Sequence, residues 1–431
     1  MPFGKKDVNT KESVHQPSKS KSKGKPSVTT NSSTSSGKTN AVGKESTSSA
    51  APTPLSTAAN QFKPRKDFVI KKTNLNVAIM APISVDKSDG RGMQDAAYLA
   101  LEDLNVKKVN LVSIDTGSDE QSMKKAIAKL KSQEIDVIIG PLNRERAELV
   151  YQEYAKDRNV LIMALGGQDE ISQYPGLYFL DFVPKQQVDR LMQYAKSQGY
   201  TDIYALLPNT HYGQGIYKDL YDNKTRVNLL GVRTYDVDGN DKDASFNQAV
   251  LEVKNVVADL YKQQAAKRSE DKFMNVALLI PEGGPRLDYV AENVKLVGGQ
   301  NLLQLKKLGT SLWMNYPTKS LPDLEGAWIT DSPQNMKIAF EQRFKSRFGY
   351  VPPRNASIAY DAVALITGVS TQSDADIQLN SGSLMNSNGF EGATGVFKFT
   401  EDGFTSRLFS IYEVRAGRFV EIDKAPENFS D

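Results

Sequence analysis

Residues 76–104 read NVAIMAPISVDKSDGRGMQDAAYLALEDL. A run of five residues with no charge, Asn76 to Met80, is followed by a loop of Pro, Ser, Asp and Gly and then by a helical stretch, Met93 to Leu104. A short continuous apolar run bounded by turn residues is what a strand buried on both faces requires, and the amphipathic stretch behind it supplies the cover. The same unit recurs along the chain. Further strand signals stand at 109–115 (VNLVSID), 136–140 (DVIIG), 160–165 (VLIMAL), 202–207 (DIYALL), 232–237 (VRTYDV), 275–280 (NVALLI) and 327–330 (AWIT). Helical stretches such as 122–133, 145–156 and 188–199 separate them. Strands alternating with helices of this length specify an α/β body with doubly wound parallel sheets. The end of the chain departs from the alternation: GVFKFTEDGF carries an Asp402-Gly403 turn and is followed by RLFSIYEVRAGRFVEI, which reads as a small antiparallel ribbon closing the fold.

Residues 1–66 differ in kind. They are Ser, Thr, Lys, Asn, Pro and Ala with few large apolar side chains, and they hold 12 of the 54 basic residues but 3 of the 51 acidic ones. Such a stretch buries too little surface to offset its ordering entropy, so it is expected to be a disordered basic linker of net charge +9 before a body, 67–431, of net charge −6. An acidic body lacks the basic footprint of a nucleic-acid-binding protein. No apolar run of signal-peptide length occurs in the first 66 residues, and no run is long enough to span a membrane. In bacterial lipoproteins a long solvated linker also separates the lipid-carrying Cys from the folded body, so any anchor is expected upstream of Met1.

The residue inventory removes much chemistry. Without cysteine there is no disulfide, thiol catalysis or Cys-based metal site, and with His15 and His211 as the only histidines a multi-histidine metal site is excluded. Tyr212-Gly213-Gln214-Gly215 lies between a strand and a helix with Asp236 21 residues beyond Gly215, half of a dinucleotide fingerprint; Lys218 stands where its third glycine belongs. Asp236, Asp238, Asp241 and Asp243 miss EF-hand spacing, since Gly239 falls at loop position 4 and Asn247 at position 12. Neither a G-x-S-x-G elbow nor a P-loop is present. The expectation is no catalytic residue, no cofactor and no metal. In open α/β sheets ligands sit outside the carboxyl ends of strands, which singles out the loops 81–90, 140–144, 166–169, 208–215 and 281–286.

Several stretches taken together resemble the type I periplasmic-binding family, the Leu/Ile/Val-binding solute-binding proteins. They are NVAIMAPIS with GRGMQDAAYLALED, DVIIGP, NVLIMAL, LLPNTHYGQGIYKDL, LEGAWITDSP, NASIAYDAVALI and FEGATGVFKFTEDGFTSRLFSIYEVRAGRFVEI, in the family's order over residues 74–422. The resemblance implies two doubly wound lobes joined by three crossovers, the first about 74–183 and 326–389, the second 184–325 and 390–422, with a ligand cleft between them. In amino-acid-binding members the loop after the GP of the third strand gives a hydroxyl to the ligand carboxylate. Here GPLNRERAE and ALGGQDE place Asn143, Arg144, Gly166, Gly167 and Gln168 at those positions, and Tyr212 matches the family's Tyr-Gly. The resemblance makes Ser84, Asn143, Arg144, Gly167, Gln168 and Tyr212 the expected ligand contacts, for a small polar ligand such as an amino acid, delivered to an ABC importer permease. IIGPLNRERAELV, GLYFLDFVPKQQVDRLMQYAKSQGY and YALLPNTHYGQG also look similar to a second branch, the bacterial penicillin-binding protein activators. That branch implies a lipoprotein on the periplasmic face of the outer membrane that stimulates a peptidoglycan synthase by contact. Both branches imply an extracytoplasmic protein without enzymatic activity.

Overall fold

The computed structural model describes residues 68–85, 89–105, 107–166, 174–182, 184–222, 227–265, 275–299, 305–314, 321–370 and 376–429. All lie in the compact unit Lys63–Asp431. The expected linker, 1–66, lies outside the described residues, as do Gly167 and Gln168.

The opening stretch forms β2 (Leu75–Ala81) and α1 (Gly90–Asp103), after a short β1 (Val69–Lys72). With β3 (Val109–Asp115), β4 (Val137–Ile139), β5 (Leu161–Ala164) and β6 (Leu177–Phe179) it builds a five-stranded sheet in the order β3-β2-β4-β5-β6, parallel throughout. Both faces are buried, which is why the strand reads as a continuous apolar run. Val77 and Ile79 pack into a cluster with α1, while Ala78 and Met80 pack into another with α2 (Glu120–Lys131). Helix α2 shows the local logic: Asp119 accepts the Ser122 N–H, Lys129 and Lys131 stand at the last turn, and Met123, Ala126, Ile127 and Leu130 form its buried stripe. Gly140, which ends β4 with φ +99°, has no room for a side chain, since a Cβ there would lie 2.1 Å from the Met80 carbonyl oxygen.

The second sheet has seven strands in the order β17-β16-β11-β10-β9-β7-β8. β7 (Asp202–Pro208), β8 (Asn228–Tyr235), β9 (Val276–Leu279), β10 (Lys306–Gly309) and β11 (Trp328–Asp331) are parallel, and β16 (Ser410–Arg415) and β17 (Arg418–Asp423) are antiparallel additions. Helices α4 (Pro184–Ser197), α5 (His211–Asp222), α6 (Lys242–Ala265) and α7 (Pro285–Leu296) cover it. Between α2 and α4, α3 (Arg144–Val150) runs into a π-helical turn, Tyr151–Ala155.

The chain returns to the first lobe through α8 (Gln334–Phe348) and α9 (Ala356–Ser370), the latter packed along α1, and then through β12 (Ile377–Asn380), which pairs with β1. Two sequence expectations need correction here. Residues 328–331 form β11 inside the second sheet, pairing Leu308 with Trp328 and Ile329 with Tyr412, so the chain crosses at Ser332 and not near 326. The terminal ribbon is two pieces. β13 (Phe390–Gly392), β14 (Gly395–Phe399) and β15 (Thr405–Arg407) make a three-stranded sheet whose Phe397 and Phe399 enter the first lobe's core, with the Phe399 ring 5.0 Å from Tyr178; only β16 and β17 join the second lobe.

Three crossovers thus connect the lobes, at Asp181–Phe182, Ser332–Pro333 and Leu408–Phe409. Side chains bind them to one another. Gln186 donates to the Thr405 carbonyl (2.5 Å) and accepts the Arg407 N–H (2.8 Å), Thr405 Oγ1 donates to the Asp181 carbonyl (2.9 Å), and Arg190 donates to the Phe409 carbonyl (3.1 Å). Among them lies a fully buried ion pair, Arg407 Nη1 to Asp361 Oδ2 at 2.9 Å.

Candidate functional site

The carboxyl ends of both parallel sheets face the junction of the lobes. On the first lobe, Asp115 at the end of β3 accepts the N–H groups of Ile83 (2.9 Å), Ser84 (3.3 Å) and Gly117 (3.0 Å). Burial pushes this carboxyl up, but the Ser84 hydroxyl and the three N–H donors outweigh it and hold Asp115 below the usual carboxylate range. Ser84 therefore ties the loop after β2 to β3. Asn143 caps α3, its side-chain oxygen accepting the Arg146 N–H at 3.0 Å. Arg144 pairs one turn on with Glu148 (2.9 Å) and lies 5.3 Å from the Phe179 ring centroid. Arg146, which sequence reasoning passed over, donates to the carbonyls of Gly117 (3.1 Å) and Ser118 (2.8 Å) and so locks the loops after β3 and β4 together.

On the second lobe, Tyr212 stands in the first turn of α5 with its hydroxyl 3.0 Å from Thr310 Oγ1 at the end of β10. Burial pushes its phenol up to about 12, against the Thr310 hydrogen bond and the nearby Arg354 charge. Next to Thr310, the buried Gln187 side chain accepts the Ser311 N–H at 2.9 Å. The Tyr235 hydroxyl donates to Glu282 at 2.5 Å, fixing the ends of β8 and β9.

The structure brings Asn143 and Arg144 together on one helical turn, Ser84 against Asp115, and Tyr212 on the opposite lobe. It also supplies a residue absent from the sequence expectation. Arg354, in the loop before α9, lies 5.2 Å from the Phe182 ring centroid and reaches Ser311 Oγ with Nη2 at 3.4 Å, a contact from the first lobe to the second. Asn355 donates to Asp89 at 2.7 Å and so seats this loop beside the one after β2. Arg354 also lines a cavity of about 270 Å³ at the crossovers, with Phe182, Ser332, Lys337, Ser357 and Thr394 among its walls. Ser84, Asn143, Arg144 and Tyr212 do not line it. Among the described residues no cluster of His, Asp and Glu suits a metal ion, and no helix is long and apolar enough to cross a membrane.

Two α/β lobes, three crossovers and a polar junction define the type I periplasmic-binding fold. In agreement, residues 81–267 match the sequence model of the family described as periplasmic binding protein. Among solved structures, a putative branched-chain amino acid ABC transporter protein from Rhodospirillum rubrum superposes with TM-score 0.64 at 16% identity, covering 81% of this chain and 100% of that one. Full-length penicillin-binding protein activator LpoA from Haemophilus influenzae superposes with TM-score 0.58 at 15% identity, over 83% of this chain and 60% of its own. By sequence the chain is similar to penicillin-binding protein activator LpoA of Vibrio cholerae, 26% identical over 175 residues, or 38% of this chain and 28% of that protein. The chain thus spans little more than a quarter of that curated relative. An uncharacterized protein of Rickettsia prowazekii is also 26% identical, over 147 residues, covering 34% of this chain and 38% of its own length.

Proposed function

We propose that the chain is a non-catalytic, extracytoplasmic ligand-binding protein that holds a small polar ligand between its lobes, in the manner of an amino-acid-binding component of an ABC importer. The observation that carries this reading is the cavity at the lobe junction, where Arg354 and Ser332 stand among apolar walls such as Phe182 and Phe340, with Arg354 of one lobe extended to Ser311 of the other. Small ligands are held preferentially in concave junctions between domains, where a few placed polar groups stand among apolar walls, and a ligand touching both lobes stabilises the closed arrangement by its differential contacts. Arg144 remains a second anchor in this reading, its guanidinium exchanging Glu148 for a ligand carboxylate.

A thermal-shift screen of the full chain against amino acids, short peptides, cell-wall fragments and nucleotides tests this. Ligand at 100 times its Kd adds about 2.7 kcal/mol of stability, so a specific shift with one amino-acid class is the expected result. A flat response throughout the panel counts against the reading.

The second reading is a penicillin-binding protein activator-like lipoprotein that stimulates a peptidoglycan synthase by contact. Two observations favour it: the sequence similarity to LpoA, and the engagement of Arg144 by Glu148 and Phe179, which leaves the amino-acid recipe of the loop after β4 unassembled. Capture of a peptidoglycan synthase by the immobilised full chain, together with a flat ligand screen, is its expected signature. Failure to retain any synthase removes it.

A further inference from the structure

The hinge cavity carries a more specific assignment, which rests on the ligand-binding reading above. We propose that its wall between Arg354 and Ser332 is the seat of a ligand carboxylate, in place of the loop around Arg144. Beside Arg354, the cavity wall holds Ser332 at the second crossover. This residue is 2% exposed, lines the cavity, and its Oγ is buried with no hydrogen-bond partner among the described residues, whereas its carbonyl is taken by the Tyr412 hydroxyl at 2.7 Å. A buried hydroxyl left unpaired costs stability unless something else satisfies it.

The charges around the cavity set the ligand's form. Lys337 is occupied by Asp331 at 3.4 Å, and Glu341 lines the same cavity one turn further along α8. Arg407 and Asp361 neutralise each other behind Thr394. The cationic corner is therefore Arg354, whose planar fork suits a carboxylate, and the nearby Glu341 disfavours a ligand of higher negative charge such as phosphate. The Ser332 hydroxyl donates to the carboxylate, and Arg354 holds it while keeping its place against Phe182. Bound there, the ligand joins the first lobe through Arg354 to the second crossover through Ser332.

The test is calorimetric titration of the full chain, wild type and variants, with succinate, alanine and inorganic phosphate. Binding of succinate or alanine without phosphate is expected, weakened about tenfold or more by Arg354→Gln and measurably by Ser332→Ala. Ser332→Ala serves as the folding control, since it removes a buried hydroxyl that bonds to nothing and should leave unliganded stability undiminished or slightly raised. Undiminished affinity in both variants, with loss in Arg144→Gln, overturns the assignment while leaving the binding reading intact. Phosphate as the sole ligand overturns the carboxylate class. No heat with any of the three overturns the assignment, and a flat amino-acid and peptide panel beside it overturns the parent reading as well.

Discussion

Neutralising Asp361 tests how the hinge is built. Its carboxylate is 0% exposed and accepts from the Ala393 N–H (2.6 Å), Thr394 Oγ1 (2.9 Å) and Arg407 Nη1 (2.9 Å). The Arg407 guanidinium lies between Phe182 and Phe397, 4.8 and 4.9 Å from their ring centroids, and its Nη2 is already buried without a partner. Asp361→Ala therefore leaves a buried cation uncompensated and strands two further donors. Removing one partner of such a pair costs about 3 to 5 kcal/mol, whereas replacing both by apolar residues of similar volume is often neutral. In urea unfolding of the full chain followed by circular dichroism, Asp361→Ala should lose about that much, and adding Arg407→Met should recover most of it. A loss below about 1 kcal/mol, or a double variant no better than the single one, would refute the reasoning.

Three further outcomes are expected. Gly92→Ala in α1 puts a Cβ 2.3 Å from the Pro353 ring, displacing the loop that carries Arg354; thermal unfolding should show a loss of about 1 to 3 kcal/mol, and unchanged stability would mean that the loop yields freely. Asp219 on α5, with Lys185 at 3.5 Å, is pushed by burial up to about 6. The folded state then holds its proton more tightly than the unfolded one, so stability falls as pH rises from about 4 to about 6 and is flat above. Asp219→Asn should flatten that slope and add about 1 kcal/mol at neutral pH, and a parallel pH profile would contradict it. Tyr212→Phe removes the hydroxyl bond to Thr310 and should cost about 1 kcal/mol without altering the fold, as read by urea unfolding.

The fold was legible wherever burial made the strand pattern continuous, as in β2, β4, β5, β7 and β9. It failed at β10, where Lys306 and Lys307 interrupt the apolar signal of a central strand. Lys306 is accommodated over the Trp328 ring, 4.0 Å from its centroid, with its ammonium donating to the Gly326 carbonyl (2.7 Å), and burial draws Lys307 down to about 8. Neither arrangement can be read from neighbours in sequence. The terminal ribbon divided between lobes for a similar reason: β14 and β16 both alternate apolar residues, and only packing decides which core each enters. At the junction, Asn143 has a local duty that its residue type explains, a helix cap, and Ser84 adds its hydroxyl to the Asp115 carboxylate 31 positions on. Arg354 escaped notice because its partners, Phe182 and Ser311, lie 172 and 43 positions away; the only local signal was a charged side chain wedged between Pro353 and a helix start.

Native mass spectrometry of the full chain isolated from its own cells under mild conditions addresses the central claim most directly. The expected spectrum shows a small-molecule adduct that is lost on denaturation and absent from Arg354→Gln. Identical native and denatured masses, with no adduct after incubation with amino acids and small carboxylates, would contradict a ligand held between the lobes.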